Sequence, residues 1–262
     1  MGRDRFGLWA EFVVEGKDGP VRQRMRWIPP GRFLMGSPED EPGWYDNEGP
    51  QHWVNISKGF WLFDTLVTQA LWQAMMGENP SIFKSPNRPV ETVSWDDCQK
   101  FVQKINQQIP SLNLSLPSEA QWEYACRAGS TTALYTEPIK PDDNVPPALA
   151  FIAWYIENSD GKTQPVAQKQ PNDLGLYDML GNAWEWIADF WHGNYDGAPE
   201  DGSIWENDES KGDSVVIRGG SWGNEGRFCR SAYRSKLVPV RRDVAVGFRC
   251  ARVQTENEQV LF

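Results

Sequence analysis

Histidine is nearly missing from this chain of 262 residues, with His52 and His192 the only two. That scarcity excludes a metal centre built on a histidine cluster, and it leaves any serine or cysteine nucleophile short of an imidazole base. Cysteine is scarce as well. Cys98, Cys126, Cys229 and Cys250 follow no zinc-ligand spacing. With no signal-type apolar segment at the N-terminus, these thiols are expected to stay reduced in a cytoplasmic location. No apolar run approaches the length of about 18 residues that spans a bilayer, so no membrane partner is expected. Positive charge is in deficit too: 26 Lys and Arg against 36 Asp and Glu leave a net charge of −10. A general nucleic-acid partner is excluded on that balance. Internal repeats and a Pro/Gly/Ser linker are both lacking, so a single domain over 1–262 is expected.

Aromatic side chains are plentiful, with 14 Trp, 12 Phe and 7 Tyr. Each buries a large area and tolerates irregular backbone, which suits a core with few long helices. Two strands are expected at Leu8–Val14 and Val21–Trp27, joined by the turn Glu15-Gly-Lys-Asp-Gly-Pro20. Residues 1–26 therefore read as an N-terminal strand extension. Ile28–Ser37 reads as a turn and short strand, Ser37–Pro50 as an acidic surface loop, and Trp53–Phe63 again as strand. Helices are expected after Thr68, Ser94 and Ser118, where Ser94 with Asp97 and Ser118 with Gln121 fit capping boxes. Trp122, Ala125 and Cys126 fall on one face of the third helix, and Cys98 on the inner face of the second. Thr131–Thr163 reads as loop, 165–177 carries strand and turn signals, and His192–Asp213 reads as a Gly/Asp-rich loop. The pattern is α+β with unusually long loops.

The segment 216–252 is expected to be the ligand-binding part. It is irregular, lies between two strand-like anchors, and holds Cys229 and Cys250. Arg227, Arg230, Arg234, Arg241 and Arg242 crowd it, either as solvated charges in surface ion pairs or as a pocket for an anion. Cys229 is open to two readings, a thiolate favoured by those arginines or a buried inert thiol. Ser221 after two glycines does not fit a hydrolase elbow. Upstream, Asp178, Asn182 and Glu185 place oxygen donors close together among small residues. That suits calcium, or else an acidic turn bonded to its own backbone.

Six ordered motifs resemble the sulfatase-modifying-factor family, whose founding activity is formylglycine generation. They are Trp27-Ile-Pro-Pro-Gly-Arg-Phe-Leu-Met-Gly-Ser37, Pro89-Val-Glu-Thr-Val-Ser-Trp-Asp-Asp97, Leu116-Pro-Ser-Glu-Ala-Gln-Trp-Glu-Tyr-Ala-Cys-Arg-Ala-Gly129, Gly175-Leu-Tyr-Asp-Met-Leu-Gly-Asn-Ala-Trp-Glu-Trp186, Arg218-Gly-Gly-Ser-Trp222 and Gly247-Phe-Arg249. The resemblance implies a C-type-lectin-like fold with a small twisted sheet, two main helices and long loops. It implies structural calcium on the side chains of Asp178 and Glu185 and the carbonyls of Gly181 and Ala183, with a second site near Asn158 and Asp160. Ser221 and Cys229 match catalytic positions, but Asn224 replaces the first of two copper-binding cysteines and Arg234 replaces a later one. A lone thiolate is a poor site for Cu(I), so copper is not expected. The histidine-dependent iron enzymes of the same superfamily are excluded by composition.

The segment also resembles the variable proteins of diversity-generating retroelements, which alter residues between Gly-Gly-Ser-Trp and Gly-Phe-Arg. Phe228, Tyr233, Ser235, Leu237, Val238, Val240, Asp243, Val244 and Ala245 stand at positions of that kind. The resulting expectation is a non-catalytic binding domain for a protein or peptide. Its face comprises Trp222, Asn224, Glu225, Arg227, Phe228, Tyr233, Ser235, Leu237, Val238, Val240 and Asp243. The alternatives are an oxidase acting on peptide cysteine through Cys229, and a regulatory module of a larger assembly.

Overall fold

Glycine fixes the first hairpin. β1 (Gly2–Asp4) runs back along β2 (Gly7–Gly16), which turns into β3 (Gly19–Ile28) with Gly16 opposite Gly19. Gly19 sits at a φ of +120°, where a side chain would be strained. The computed structural model describes residues 1–137, 147–206 and 214–253. Next in order come the ribbon of β4 (Gly31–Met35) and β5 (His52–Ile56), and then β6 (Phe60–Phe63). β6 pairs with β3 on one side and with β12 (Ala251–Val253) on the other, and β12 also pairs with β7 (Leu114–Ser115). The end of the segment 216–252 is thus threaded between strands from the first half of the chain. A second sheet has the order β10 (Arg234–Leu237), β9 (Val215–Arg218), β8 (Trp184–Phe190), β11 (Val246–Gly247).

The helices start where their capping residues predict. Thr68 caps α1 (Gln69–Met76), and both residues of each capping box are engaged at α2 (Trp95–Gln108) and α3 (Glu119–Arg127). The inner face of α2 buries Cys98, Phe101, Val102 and Ile105. Phe101 stacks on Trp72 of α1 at 5.5 Å, and Phe248 meets Phe101 edge-on at 5.3 Å. Helix packing is thereby tied to the Gly-Phe-Arg anchor. On the other side, Trp122 and Cys126 of α3 join a second buried cluster with Phe60, Leu62 and Met179.

Several expectations need correction. Residues 165–177 form no strand, whereas Trp184–Phe190 is one and is buried along six of its seven residues. A strand buried on both faces shows no alternation, so its sequence gave no period to read. A short helix, α4 (Leu149–Ile152), interrupts the expected loop 131–163. Pro138, Pro141 and Pro146 of that loop, and residues 207–213 of the loop at 192–213, lie outside the described residues. The acidic loop Ser37–Pro50 is not wholly a surface loop either, since Glu48 is fully buried. Among the described residues no helix is long and apolar enough to cross a membrane.

Phe101→Ala is expected to lower unfolding free energy by about 3–5 kcal/mol in urea titration, through lost contacts and a cavity. The exposed Lys104→Ala should stay within about 0.5 kcal/mol of the parent.

Candidate functional site

The segment 216–252 is positioned by two glycines and four buried arginines. Gly219 and Gly220 have φ values of +99° and +75°, and a Cβ on Gly220 would stand 2.7 Å from the Cys229 sulfur. The double glycine therefore lets β9 turn sharply and pass directly over Cys229. Arg218, Arg230, Arg234 and Arg249 are each at most 1 % exposed. Arg218 donates to the carbonyls of Ala232 (2.7 Å), Tyr233 (2.6 Å) and Ser231 (3.0 Å), and it also meets the Glu123 carboxylate. Arg230 reaches into the acidic loop, donating to Glu41 at 2.6 Å and to Glu48 at 2.9 Å. Arg234 holds both oxygens of Glu119, at 2.6 and 2.9 Å. Arg249 does the same to Glu185, at 2.7 and 2.8 Å.

The expectation of solvated arginines holds for Arg227, Arg241 and Arg242, which are exposed, and fails for Arg230 and Arg234. An anion pocket does not form around those two either, because Glu41, Glu48 and Glu119 already neutralise them. The partners lie far away in sequence, so spacing gave no sign of them.

These contacts sort the segment into two sets. Cys229, Arg230, Ser231, Ala232, Arg234 and Val246 through Cys250 are buried. Phe228, Tyr233, Ser235, Leu237, Asp243, Val244 and Ala245 are half-buried, and Val238 and Val240 are 50 % and 71 % exposed. Trp222, Asn224, Phe228, Tyr233, Ser235, Leu237 and Asp243 line one cleft of about 480 Å³. Glu225, Arg227, Val238 and Val240 do not line it. Trp184, Ile217 and Ser221 do, a role that sequence reasoning missed for the first two because they sit on buried strands. Phe228 and Trp184 pack on Tyr233 at 5.1 and 5.8 Å, forming an aromatic wall. Trp222 stands edge-on to Phe83, and its backbone N–H bonds Asn182 at 3.0 Å.

Chemistry fits this arrangement poorly. Cys229 is fully buried, and burial pushes its thiol up to about 12 against the pull of the Ser221 backbone N–H. Ser221 is also buried, and its hydroxyl donates to Asn224 Oδ1 at 2.6 Å. Asn224 therefore holds the serine in a local hydrogen bond. Cys98, Cys126 and Cys250 are buried and unpaired as well.

The turn expected to hold calcium is charge-balanced by protein groups. Glu185 accepts from Arg249 on both oxygens and from the Trp122 indole at 3.0 Å. Asp178 accepts the Ala167 N–H at 2.8 Å and the Asn182 amide at 3.3 Å, and burial pushes its carboxyl up to about 6. Gly181 donates its N–H to the Gly219 carbonyl. A calcium ion wants six to eight oxygens, and here a guanidinium occupies both oxygens of Glu185. Near the second expected site, Asn158 bonds its own turn and Asp160 is exposed and pairs with Lys162 at 2.6 Å. The side-chain donors of both sets are thus already engaged by protein groups. Among the described residues no group of three or more His, Cys, Asp or Glu is placed to hold a metal ion.

Comparison with known proteins bears on the scaffold. Residues 14–254 match the model of the sulfatase-modifying factor enzyme 1-like domain. The formylglycine-generating enzyme of Bos taurus is 31% identical over 194 residues, covering 71% of this chain and 49% of its own. The chain thus spans about half the length of that curated relative. The structure of PvdO from Pseudomonas aeruginosa superposes with a TM-score of 0.80 at 32% identity, covering 93% of this chain and 98% of its own. Treponema denticola variable protein 1 superposes with a TM-score of 0.74 at 27% identity, covering 93% and 99%. The expected irregular α+β, C-type-lectin-like fold is the one these structures share.

Three outcomes are expected. A thiol reagent such as DTNB should find no reactive cysteine in the native protein and all four in urea. Glu185→Gln should cost about 3–5 kcal/mol by leaving Arg249 buried and unpaired. Melting should be the same in EGTA and in calcium, and a calcium-dependent rise would restore the metal at this turn.

Proposed function

The chain belongs to the sulfatase-modifying factor enzyme 1-like family, and from that premise we propose that it is a non-catalytic binding protein of the C-type-lectin-like fold. Its ligand is a protein or peptide, held on the cleft between Trp222, Phe228, Tyr233 and Leu237 and on the exposed residues around Val238 and Val240. One observation carries this reading: the segment separates a buried frame, which includes its thiol, from an accessible apolar and aromatic face. A cysteine oxidase needs a thiolate within reach of substrate and metal. Cys229 is fully buried against Gly220 with its thiol pushed up to about 12, and the position of the partner cysteine is Asn224.

The face has the composition that anchors interfaces, aromatic and aliphatic groups with arginine at the edge. Its residues are held by rigid surroundings and take little part in holding them. That supports a surface whose side chains change while the fold persists, as in the variable-protein branch of the family. The likeness to the Treponema denticola variable protein supports the same reading.

The test has two arms. Incubated with copper, oxygen and a Cys-x-Pro-x-Arg peptide, the protein should form no aldehyde, and product formation abolished by Cys229→Ser would establish the oxidase instead. A library randomised at Phe228, Tyr233, Ser235, Leu237, Val238, Val240 and Asp243 should keep cooperative melting in most members. Widespread unfolding in that library would rule out a variable face.

A further inference from the structure

Away from the binding segment, a second cleft of about 490 Å³ opens beside β3, the turn from β6 into α1, and the loops around Asn87 and Val166. It shares no residue with the cleft described above. Four charged groups line it: Glu11, Arg22, Arg24 and Asp64. Asp64 is only 9 % exposed, yet beyond its own backbone N–H its carboxylate has one weak contact, from the Gln23 amide at 3.4 Å. Burial pushes that carboxyl up to about 6, against the pull of Arg24, Arg26 and Arg249.

The Arg24 guanidinium lies over the Trp9 ring at 4.5 Å, and among the described residues it has no carboxylate within ion-pair distance. Arg22 is paired with Glu11 at 2.8 Å, with its own side chain 63% exposed. Arg24 and Asp64 therefore face one cleft, attract each other, and do not meet. Leaving a buried carboxylate and a guanidinium apart is costly, and the cost is offset when a ligand carrying both charges spans the gap. Glu11 is already taken by Arg22, so a metal cation would meet Asp64 and stand against both arginines. A lone anion would satisfy Arg24 and stand against Asp64. An α-amino acid carries an ammonium and a carboxylate one carbon apart, and a cleft of this volume admits a molecule of that size.

We propose that this cleft binds a small zwitterion of the α-amino-acid class, with its ammonium on Asp64 and its carboxylate on Arg24, Arg22 standing beside it. Gln23, Thr65 and Asn87 supply hydrogen-bonding groups around it, and Arg–carboxylate pairing sets its orientation.

The experiment is calorimetry and thermal melting of the full chain with each free L-amino acid, alongside its N-acetyl and amide derivatives. At least one free amino acid should bind and raise the melting temperature, and neither of its derivatives should do so. Asp64→Asn and Arg24→Gln should each weaken that binding by about tenfold or more, the loss expected for a hydrogen bond to a charged group. Melting without ligand reports whether each variant is folded. Should Asp64→Asn not fold, the exposed-wall variant Arg22→Gln and Arg24→Gln carry the test. Absence of binding by every amino acid would overturn the proposal. So would equal binding of a derivative, or binding unchanged in the folded variants.

Discussion

Buried arginine–carboxylate pairing is the constraint on which this fold depends. Arg218, Arg230, Arg234 and Arg249 all come from the C-terminal part, and their carboxylates come from the acidic loop, α3 and β8. Each charge taken out of water costs several kcal/mol, so each must find an opposite charge and further acceptors. Here they do. Arg218 collects three carbonyls beside its carboxylate, and Arg249 adds the Phe63 and Tyr177 carbonyls at 3.1 and 2.9 Å. A segment with little regular structure would otherwise leave many backbone carbonyls unpaired. The guanidinium groups act as its substitute for a hydrogen-bond ladder, and their fixed fork dictates where each loop must lie.

How much of this was legible in the sequence depends on how local the signal was. The hairpin at Glu15–Pro20 and the helix starts at Thr68, Ser94 and Ser118 each rest on contacts within a few residues, and all are where the chain pattern put them. β8 was illegible because both its faces are buried. The arginine pairs were illegible for a different reason: Glu48 and Arg230 are 182 positions apart, and Glu119 and Arg234 are 115. Exposed and buried arginines look alike in a sequence, so Arg230 and Arg241 could be told apart only by their surroundings. The residues of the cleft at Trp222–Ala245 were mostly recognisable from the family motifs that bracket them. Trp184 was not, because its strand had not been recognised, and Ile217 was not, because it lies on the strand-like anchor ahead of the residues singled out.

The same pairing bears on the choice between chemistry and binding. A catalytic thiol needs stabilisation of its anion and a route for substrate. Around Cys229 the nearby arginines are spent on carboxylates and carbonyls, so their charge is not available to a thiolate. Asn224 and Ser221 satisfy each other. The polar groups that could have made an active site are thus engaged in holding the segment, and what faces solvent is an aromatic and aliphatic cleft rimmed by the charged side chains of Glu225, Arg227, Lys236, Arg241 and Arg242.

Energetics also says which positions are free to differ. Removing one partner of a buried pair costs about 3–5 kcal/mol, a large share of the roughly 5–15 kcal/mol that stabilises a typical domain. Changing a side chain that touches no such network is usually worth within about 0.5 kcal/mol. Along 228–245 the two kinds of residue interleave: Cys229 through Ala232 and Arg234 are buried, while Tyr233, Ser235, Leu237, Val238 and Val240 are reachable from solvent. The backbone is therefore fixed by one set while the other set meets whatever approaches. A face built in this way can change its chemistry residue by residue without moving its scaffold, because none of the buried ion pairs passes through it.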